Sequence, residues 1–508
     1  MAPSESKGRA CVTRFPSKPR VFILTDIANE PDDAESFCRY LTYANQFRTE
    51  GIVAVTSTWL RNKVAPQNLH EIVDAYEKVV DNLNAHAHSG SPYPSAQNVR
   101  SLIKSGPPVS HFYSRAASAN SRSANSMAQQ VYGMEAVGED IPLSEGAELL
   151  LERLTAPEDD PLWVLVWGGV NVLAQVLDKT RNRPDAAKLR EKLRVYTISD
   201  QDDCGGWIRQ QWPEIFYICS IHGWNQYQCA AWTGISSPCP SDVGGTDNSK
   251  VTHEWIKDNV QIGPLGAAYP DFEFIIEGDT PTFLYLMQNG LGVPEEPSYG
   301  SWGGRYISAN VGPKGLPSRG HFADAIDTVI GADGKLHRSS QATIWRWRNA
   351  FQNDFAARMQ WTLTSDFGKV NHQPVASVNG DFGLTPINVE ADAGGVVSFD
   401  ASESYDPDGD RLSFNWYQYR EPSSLQTYHG LEVSDVEIKP LNDDGSKVEV
   451  LVAPAEKSCI VVREKIPLER GVPLHLILEV KDNGTPSLTS YRRVIIYPVD
   501  RDFGSKRR

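Results

Sequence analysis

Residues 21–37, with the sequence VFILTDIANEPDDAESF, join a short apolar run to an amphipathic run across an acidic turn. The apolar run at 21–24 has the residue types and the length of a buried strand. Pro31 then precedes a helical pattern that continues to Leu41. The turn between them carries four carboxylates, on Asp26, Glu30, Asp32 and Asp33. The stretch therefore predicts the first strand, an acidic turn and the first helix of an α/β domain.

The crowding of these carboxylates points to a bound cation. Carboxylates this close together repel one another, so a fold that holds them in place needs a compensating charge. The simplest candidate is a hard divalent ion with oxygen ligands, and we expect Ca²⁺. An acidic first helical turn that complements the helix dipole is the alternative, which accounts for Asp32 and Asp33 but not for Asp26 at the end of the strand. Because open α/β sheets bind ligands at the carboxyl ends of their strands, we favour the metal site.

The succession of a strand, a polar turn and a helix recurs along the chain. Residues 50–59, EGIVAVTSTW, are predicted to be a second buried strand that ends in small hydroxyl residues, of which Thr58 is a candidate substrate contact. Residues 161–166 predict a third strand, which runs into a glycine-containing turn at 167–171. Glycines between a strand and a helix allow the backbone to approach a ligand or to present a carbonyl to a metal, although packing alone could also require them.

Acidic residues follow two further predicted strands. Residues 193–199 open onto the turn DQDD, which contains Asp202, and residues 271–276, DFEFII, lead to Asp279 and a helix at 282–289. The carboxyl ends of parallel strands meet at one edge of a sheet, so these acids are expected to share a pocket with the first turn. The alternative is a set of solvated polar loops.

Helical patterns separate the predicted strands at 66–83 and at 144–154, and a longer one at 342–363 carries an aromatic stripe typical of a core-facing helix. Alternating strands and helices predict a mostly parallel open sheet with right-handed crossovers. Residues 84–130 are rich in Ser, Ala, Asn, Gly and Pro, and we expect them to form a lid or substrate-binding flap over the rim. The α/β domain is thus predicted to span residues 19–370.

The composition changes at residue 371. From there onward, short alternating runs such as GGVVSFDAS and RLSFNWYQY stand between turn residues, which predicts an antiparallel, immunoglobulin-like β-sandwich over 371–508. This sandwich is a candidate carbohydrate-binding domain. Its turn SYDPDGD at 404–410 either binds calcium or is a tight turn without a ligand, and we favour the second reading because Asp, Pro and Gly are turn formers.

The net charge restricts the possible partners. The 508 residues include 49 Lys plus Arg and 64 Asp plus Glu, for a net charge of −15. Neither nucleic acid nor an anionic membrane surface attracts an acidic protein, so we expect a neutral ligand. The 13 Trp and 19 Tyr suit the stacking of sugars or bases, but an ordinary large core contains as many.

The chain shows no targeting or cross-linking pattern. Residues 1–18 are polar and are expected to form a disordered leader without the apolar core of a signal peptide, and no window is long and apolar enough to span a membrane. We therefore expect a cytoplasmic protein, or a secreted one if the start codon is mis-assigned.

The seven cysteines lack zinc-site spacing; Cys219, Cys229 and Cys239 could hold one disulfide, although nothing requires it.

The acidic turns favour hydrolysis of a bond to a sugar. A calcium ion held by the first turn, by a carbonyl near Val170 and by Asp279 would leave room for a water and two vicinal sugar hydroxyls. A free carboxylate could take a proton from the water while an oxocarbenium-like centre forms at the anomeric carbon. Motifs for serine hydrolases, dinucleotide binding and P-loops are absent. The expected activity is hydrolysis of a glycosidic or N-glycosidic bond in a carbohydrate or nucleoside-like molecule.

Three segments resemble known family motifs. DIANEPDDA is similar to the aspartate-rich loop of inosine-uridine type nucleoside hydrolases, VWGGVNVLAQ to the turn that offers a main-chain oxygen to calcium, and EGDTPTFLYL to the strand end that supplies the last aspartate ligand. Together with VYTISDQDD, GGWIRQ and SWGGRY, they resemble the nucleoside-hydrolase-like family described as cellulose-binding proteins. The resemblance extends from about Lys18 onward and implies a hydrolase-like domain followed by a β-sandwich.

Carried over by position, the resemblance implies a role for each matching residue. Asp33 would be a bidentate calcium ligand, Val170 a carbonyl ligand and Asp279 the distal ligand. Asp32 would contact sugar hydroxyls, and Asp26 matches the first acid of the family loop.

Two positions depart from the nucleoside hydrolase pattern. Family members carry a second aspartate two residues after the first, as ligand and base, where this chain has Ala28, so Glu30 or Asp26 is expected to take its place. The residue before the distal aspartate, a leaving-group histidine in some members, is Gly278. These losses weaken the case for purine and pyrimidine nucleosides as substrates, whereas the calcium ligands remain.

Three functions stay open. The favoured one is a calcium-dependent hydrolase with catalytic residues Asp26, Glu30 and Asp32 and metal ligands Asp26, Asp33, Val170 and Asp279. Its expected substrate contacts are Asp32, Thr58, Asp202, Trp207, Trp302 and Arg305; the last two lie in SWGGRY, which suits stacking a ring and fixing a hydroxyl. The alternatives are a non-catalytic cellulose- or polysaccharide-binding protein that uses the inherited cleft or the sandwich, and a scaffold whose acidic turns serve stability alone.

Overall fold

The computed structural model describes residues 11–107, 132–236, 242–309, 320–423, 433–461 and 465–504. These residues form an α/β domain followed by a β-sandwich, as the sequence predicts. Most of the expected lid, residues 108–131, lies outside the described part, and the rest of that segment contributes a short helix and a strand at the edge of the sheet. Residues 11–18 of the expected leader are described, and Phe15 among them is buried.

The α/β domain is built on one eight-stranded sheet. Its strands are β1 (Arg20–Thr25), β2 (Arg48–Ala54), β3 (Ile103–Ser105), β4 (Leu162–Val166), β5 (Leu193–Ser199), β6 (Phe216–Ser220), β7 (Tyr306–Ser308) and β8 (His321–Asp324). Their order is β3-β2-β1-β4-β5-β6-β8-β7, and only β7 with β8 is antiparallel among these pairs. The chain order reverses between β1 and β4, which is where open α/β sheets leave a crevice for a ligand.

Helices cover both faces of this sheet. They are α1 (Asp32–Tyr43), α2 (Pro66–Glu77), α3 (Val80–His86), α4 (Ala96–Ser101), α5 (Glu145–Thr155), α6 (Asn171–Thr180), α7 (Ala186–Glu191), α8 (Asp203–Gln211), α9 (His253–Asn259), α10 (Gly263–Gly266), α11 (Pro281–Leu284), α12 (Ala342–Trp345) and α13 (Arg348–Trp361). Two apolar cores result, one containing α1 and α13 and the other α5 and α6. None of the described helices is both long and apolar enough to span a membrane.

One predicted strand is wrong. Residues 271–276 form a loop, because the place beside β6 is taken by β8 and their apolar side chains find other partners. The ring of Phe272, for example, stacks on His253 with centroids 3.8 Å apart.

Three predicted helices differ in their bounds. Residues 66–83 form α2 and α3, 282–289 shorten to α11, and 342–363 divide into α12 and α13.

The sandwich consists of two facing sheets. One contains β11 (Ile387–Asp392), β19 (Thr489–Val499), β18 (Leu474–Lys481) and β13 (Ser413–Tyr419), in that order, and the other β12 (Val396–Asp400), β15 (Lys447–Leu451) and β14 (Glu437–Pro440). Neighbours are antiparallel except β11 with β19. Smaller elements are the hairpin β9 (Asp327–Ile330) with β10 (Leu336–Ser339), the pair β16 (Ile460–Val461) with β17 (Ile466–Pro467), and α14 (Ala455–Ser458).

The two domains meet in a buried interface. The hydroxyl of Tyr491, on β19, accepts a hydrogen bond from Trp302 Nε1 at 3.2 Å, and its ring lies edge-on to Trp347 with centroids 5.8 Å apart. Arg493, on the same strand, donates to the carbonyl oxygen of Leu291 at 2.8 Å. All three aromatic side chains and Arg493 are buried, so the interface has the character of a domain core.

Candidate functional site

An acidic cluster lies at the crevice between β1 and β4. Asp26 directly follows β1, Asp32 and Asp33 begin α1, and Asp279 precedes α11. Asp32, Asp33 and Asp279 each offer a carboxylate oxygen, and these oxygens all lie within 4.8 Å of one another. In the described part of the chain this is the one group of three such ligands, so the turn at 404–410 forms no comparable cluster.

The carboxylate of Asp279 fits a cation. Both of its oxygens are buried and have no hydrogen-bond partner among the described residues. Burial raises the pKa of Asp279 well above its usual range, and the charges of Asp33 and Asp32 raise it further. A buried carboxylate without a partner is costly, and a hard cation with oxygen ligands removes that cost. The donor set is therefore the one that Ca²⁺ prefers.

Hydroxyl groups hold the neighbouring acids in place. Ser57 donates a short hydrogen bond to Asp26, and Thr25 donates one to Asp33. Burial raises the pKa of Asp26 to about 6 in spite of the Ser57 hydrogen bond. Burial also raises the pKa of Asp32 to about 7, with a further contribution from the charge of Glu30. The charged forms of Asp26 and Asp32 are thus disfavoured where no counter-charge is present.

Two glycines allow the acids to come this close. A Cβ on Gly168 would lie 2.9 Å from the backbone nitrogen of Asp26, and one on Gly278 would lie 2.6 Å from Asp32 Oδ2 and 3.1 Å from Trp232 Cζ3. A side chain at position 278, where some nucleoside hydrolases carry a leaving-group histidine, would therefore collide with Asp32 and Trp232.

A buried network fixes the backbone before Asp279. Glu277 has a positive φ of 56°, which is unfavourable for a residue with a side chain. Its carboxylate accepts hydrogen bonds from Arg39 Nη1 at 2.6 Å and from the hydroxyl of Tyr269 at 2.9 Å. Its N–H donates to Glu35 Oε2 at 2.9 Å. Since Glu35 and Arg39 belong to α1, one helix positions both halves of the acidic cluster.

The cluster opens into a pocket of about 290 Å³. Among the described residues that line it, the five charged ones are all acids: Asp26, Glu30, Asp32, Asp33 and Asp279. The remaining described lining residues are polar, aromatic or apolar: Asn29, Trp59, Trp167, Ile198, Gln201, Tyr227, Gln228, Trp232, Thr233, Phe274 and Ile275. The pocket therefore combines an acidic floor with aromatic walls. It has the size and composition of a site for a small neutral ligand.

Trp302 and Arg305 are corrections to the sequence prediction, because they do not line the pocket. Trp302 is 2% exposed and belongs to the interface with the sandwich. Arg305 is 0% exposed, and its Nε donates to Asp327 Oδ1 at 2.7 Å. A glycine-rich loop with an aromatic ring and an arginine has the same sequence pattern whether it faces a ligand or a second domain.

Asp202 positions backbone instead of lining the pocket. Its Oδ2 accepts the N–H groups of Val170 at 2.8 Å and Asn171 at 3.1 Å, and its Oδ1 accepts that of Cys204 at 3.0 Å. Burial raises the pKa of Asp202 to about 7, against the effect of these hydrogen bonds. The carboxylate thus connects the turn after β4 to the start of α8.

Three further candidates lie outside the pocket lining. Val170 is the residue directly before α6, and its carbonyl oxygen accepts the N–H of Ala174 at 3.1 Å. Thr58 donates its N–H to the carbonyl of Gln201 at 2.6 Å. Trp207, on α8, lies edge-on to Trp212 with centroids 5.0 Å apart. The roles of Val170 as a carbonyl ligand and of Thr58 and Trp207 as substrate contacts stay predictions.

The sequence prediction missed most of the aromatic walls. Trp59 ends the segment for which the sequence predicts the second strand, and Phe274 lies in the segment for which it predicts a strand before Asp279, so the pattern places both in the sheet. Tyr227 and Trp232 lie in two short 3₁₀ turns, Trp224–Cys229 and Ala231–Ile235, that carry no recognisable periodicity. Tryptophan content was the only signal, and it does not separate walls from core.

Comparison with known proteins identifies relatives. The family described as "Cellulose-binding Sde182, nucleoside hydrolase-like domain" matches residues 20–306, and the family described as "Cellulose-binding protein Sde0182, C-terminal domain" matches residues 396–498. No curated protein matches the chain.

Among solved structures, a nucleoside hydrolase-related hypothetical protein from Saccharophagus degradans, described as associated with carbohydrate metabolism, is 30% identical with a TM-score of 0.71. The match covers 94% of this chain and 99% of that chain. The effector protein XOO4466 is 13% identical over 55% of this chain and 83% of its own, but its TM-score of 0.25 is too low to support any inference.

Proposed function

This chain belongs to the family described as cellulose-binding Sde182 with a nucleoside hydrolase-like domain, and from that membership we propose that it binds a carbohydrate and hydrolyses a glycosidic or N-glycosidic bond with calcium at its acidic cluster. The observation that carries the proposal is the convergence of Asp32, Asp33 and Asp279 within 4.8 Å. These residues come from two distant parts of the chain, and stability alone gives no reason to bury them together.

Four residues would hold the cation. Asp33 and Asp279 are buried on either side of the cluster, and Asp32 and Asp26 lie beside them in the pocket. The two oxygens of Asp279 without partners among the described residues support its assignment as a ligand. When bound there, a calcium ion neutralises the carboxylates, orients vicinal hydroxyls and lowers the pKa of a water molecule.

Glu30 is the residue that we assign to proton transfer. It lines the pocket and is half-buried, and its carboxylate has no hydrogen-bond partner among the described residues. Asp26 and Asp33, in contrast, are held by Ser57 and Thr25. A carboxylate that faces the pocket without such a restraint can accept a proton from an attacking water and return it to a leaving oxygen. Glu30 would thereby replace the aspartate that the family pattern has at position 28.

The test is calorimetric titration of CaCl₂ into the wild-type protein and two variants, Asp33→Ala and Asp279→Asn. We expect wild-type binding to be lost in both, together with calcium-dependent release of reducing sugar from a panel of glycosides. Asp258→Asn, which changes an exposed acid on α9, is the matched control and should bind as the wild type does. Wild-type calcium affinity in either cluster variant would remove that residue from the proposed site.

A second candidate function is sugar binding without turnover. The absence of an acid at Ala28 and of an imidazole at Gly278 favours it, because these positions serve the chemistry in nucleoside hydrolases. Retention of the full chain on insoluble cellulose, with no sugar released in either CaCl₂ or a chelator, would support this function over the first.

A further inference from the structure

The rim of the pocket carries two exposed aromatic side chains that the hydrolytic site does not use. Trp59 is 47% exposed and Phe274 is 75% exposed, and both line the pocket. We call this pair the aromatic rim. Single exposed apolar residues are ordinary, but two of them at the mouth of one acidic pocket indicate a surface that binds a ligand.

Trp59, one of the two residues of the aromatic rim, is connected to the acidic cluster by ring contacts. Trp59 lies edge-on to Tyr227 with centroids 6.0 Å apart, and Tyr227 lies edge-on to Trp232 with centroids 5.4 Å apart. Trp232 in turn borders Gly278, next to Asp32. The N–H of Trp59 also donates to Ser57 Oγ at 3.0 Å, and the same hydroxyl donates to Asp26. The backbone of Trp59 is thus connected to the acidic cluster through Ser57, and its ring through Tyr227.

The charge of the pocket limits the ligand class. Its charged described lining residues are all carboxylates, and none of the described lining residues is Lys, Arg or His. The five carboxylates outnumber the two positive charges of one bound calcium ion, so the pocket disfavours a phosphate or a uronic acid relative to a neutral ligand. A nucleobase leaving group also lacks a protonating imidazole, because Asp32 and Trp232 fill the side of Gly278. A neutral sugar needs neither a positive counter-charge nor an imidazole, and its apolar ring face stacks on aromatic side chains.

The size of the pocket limits how much of the ligand enters. A volume of about 290 Å³ is at the small end of ligand pockets and accommodates one sugar ring at the acidic floor. A second ring attached to the first must extend out of the pocket, where Trp59 and Phe274 are the exposed aromatic lining residues.

We propose that the site recognises a neutral oligosaccharide of at least two units, with one sugar ring at the acidic cluster and the next ring stacked on the aromatic rim formed by Trp59 and Phe274. This inference rests on the proposed function for the placement of the first ring. It adds the class of substrate and a second subsite, and it separates this chain from enzymes that act on nucleosides.

The experiment measures binding of matched monosaccharides and disaccharides of the gluco, manno, xylo and galacto series, with inosine as a further probe, in CaCl₂. We expect at least one disaccharide to bind about tenfold more tightly than its monosaccharide. Trp59→Ala and Phe274→Ala should each remove most of that difference. Phe382→Ala, which changes an exposed aromatic residue of the sandwich, is the control and should keep the full difference.

Two results would overturn the inference. One is an unchanged ratio of disaccharide to monosaccharide affinity in both rim variants, and the other is binding of inosine with no binding of any neutral disaccharide. Failure of the proposed function is a separate result. If Asp279→Asn binds disaccharides as the wild type does, the calcium-dependent hydrolase is contradicted. The second subsite is still supported if Trp59→Ala and Phe274→Ala lower the ratio of disaccharide to monosaccharide affinity.

Discussion

A side chain at position 278 would collide with the acidic cluster, which gives a physical reason for one departure from the nucleoside hydrolase pattern. The Cβ position faces Asp32 Oδ2 at 2.6 Å, a distance that Cβ atoms do not tolerate. Asp32 belongs to the cluster with Asp33 and Asp279, so a displacement of its carboxylate changes the geometry of the cluster. The glycine is therefore linked to the geometry of the carboxylates.

We expect Gly278→Ala to weaken calcium binding about tenfold, which corresponds to ~1.4 kcal/mol, because the added methyl group displaces the Asp32 carboxylate. Calorimetric titration of CaCl₂ measures the change. Gly206→Ala is the control, because a Cβ there meets no atom within 4 Å. Equal affinities for wild type and Gly278→Ala would show that Asp32 lies outside the metal site.

We expect Glu30→Gln to lower the rate of glycoside hydrolysis by about a hundredfold or more, in line with loss of a general base or acid. Calcium affinity should change little, because Glu30 is not part of the cluster of Asp32, Asp33 and Asp279. Glu273→Gln, on the exposed neighbouring loop, is the control for the loss of one nearby charge. Strong loss of calcium affinity with normal residual turnover would assign Glu30 to the metal instead.

At the scale of elements, α1 stabilises the loop that carries Asp279 through contacts with Glu277. The ion pair of Arg39 with Glu277 has an N–O distance of 2.6 Å, and the two side chains are 0% and 1% exposed. The guanidinium of Arg39 also lies over the ring of Phe355 at 4.5 Å, so α13 supports it from the other side. The pair stabilises the positive φ of Glu277, which a loop without these contacts would not maintain.

We expect Glu277→Gln to lower the free energy of unfolding by about 3 kcal/mol, because the substitution leaves a buried guanidinium without its counter-charge. Denaturant unfolding, followed by fluorescence, measures the change. Glu77→Gln breaks the exposed pair of Glu77 with Arg100 and should leave the unfolding curve unchanged. Similar curves for both variants would show that the buried pair does not support the loop.

Strands and helices differ in how well their sequence predicts them. Strand β4 and most of β1 are continuous apolar runs, as buried parallel strands are, whereas β5 includes polar residues; the prediction for all three is confirmed. The run at 271–276 also mixes apolar and polar residues, but its apolar side chains contact the pocket and α9 instead of a neighbouring strand. A local sequence pattern therefore predicts a strand correctly only where the sheet has an unoccupied edge for that strand to join.

At the scale of the whole molecule, the sequence predicts the two-domain architecture and the acids that meet at the crevice, because both follow from local patterns repeated along the chain. The aromatic walls of the pocket and the roles of Trp302 and Arg305 depend on contacts between loops that are far apart in the sequence. A local pattern does not predict such contacts. Trp302 is a clear example, since its partner Tyr491 lies in the last strand of the sandwich.

The stability of the whole chain should depend on pH through Asp406 in the sandwich. Burial raises the pKa of Asp406 to about 7, and the charges of Asp408 and Asp482 add to the effect. Because this pKa lies above that of an unfolded aspartate, the folded state binds the proton more tightly. The stabilising contribution is present below about pH 4 and is lost as the pH rises to about 7.

We expect Asp406→Asn to flatten this part of the profile, because the amide oxygen can still accept the N–H groups of Asp408 and Asp410 without becoming charged. Thermal unfolding of wild type and variant between pH 4 and pH 8 measures the difference. The two melting temperatures should be similar at the acidic end and diverge in favour of the variant at the alkaline end. A constant difference across the range would contradict the assigned pKa.

The buried seam that joins Tyr491 and Arg493 to residues 289–302 has a practical consequence for protein engineering. A sandwich domain expressed alone from residue 371 would expose the ring of Tyr491 and the guanidinium of Arg493 to solvent. It is therefore poorly suited as a fusion domain that directs other enzymes to plant fibre. A successful transplant would have to carry the matching segment along or redesign that flank of the strand.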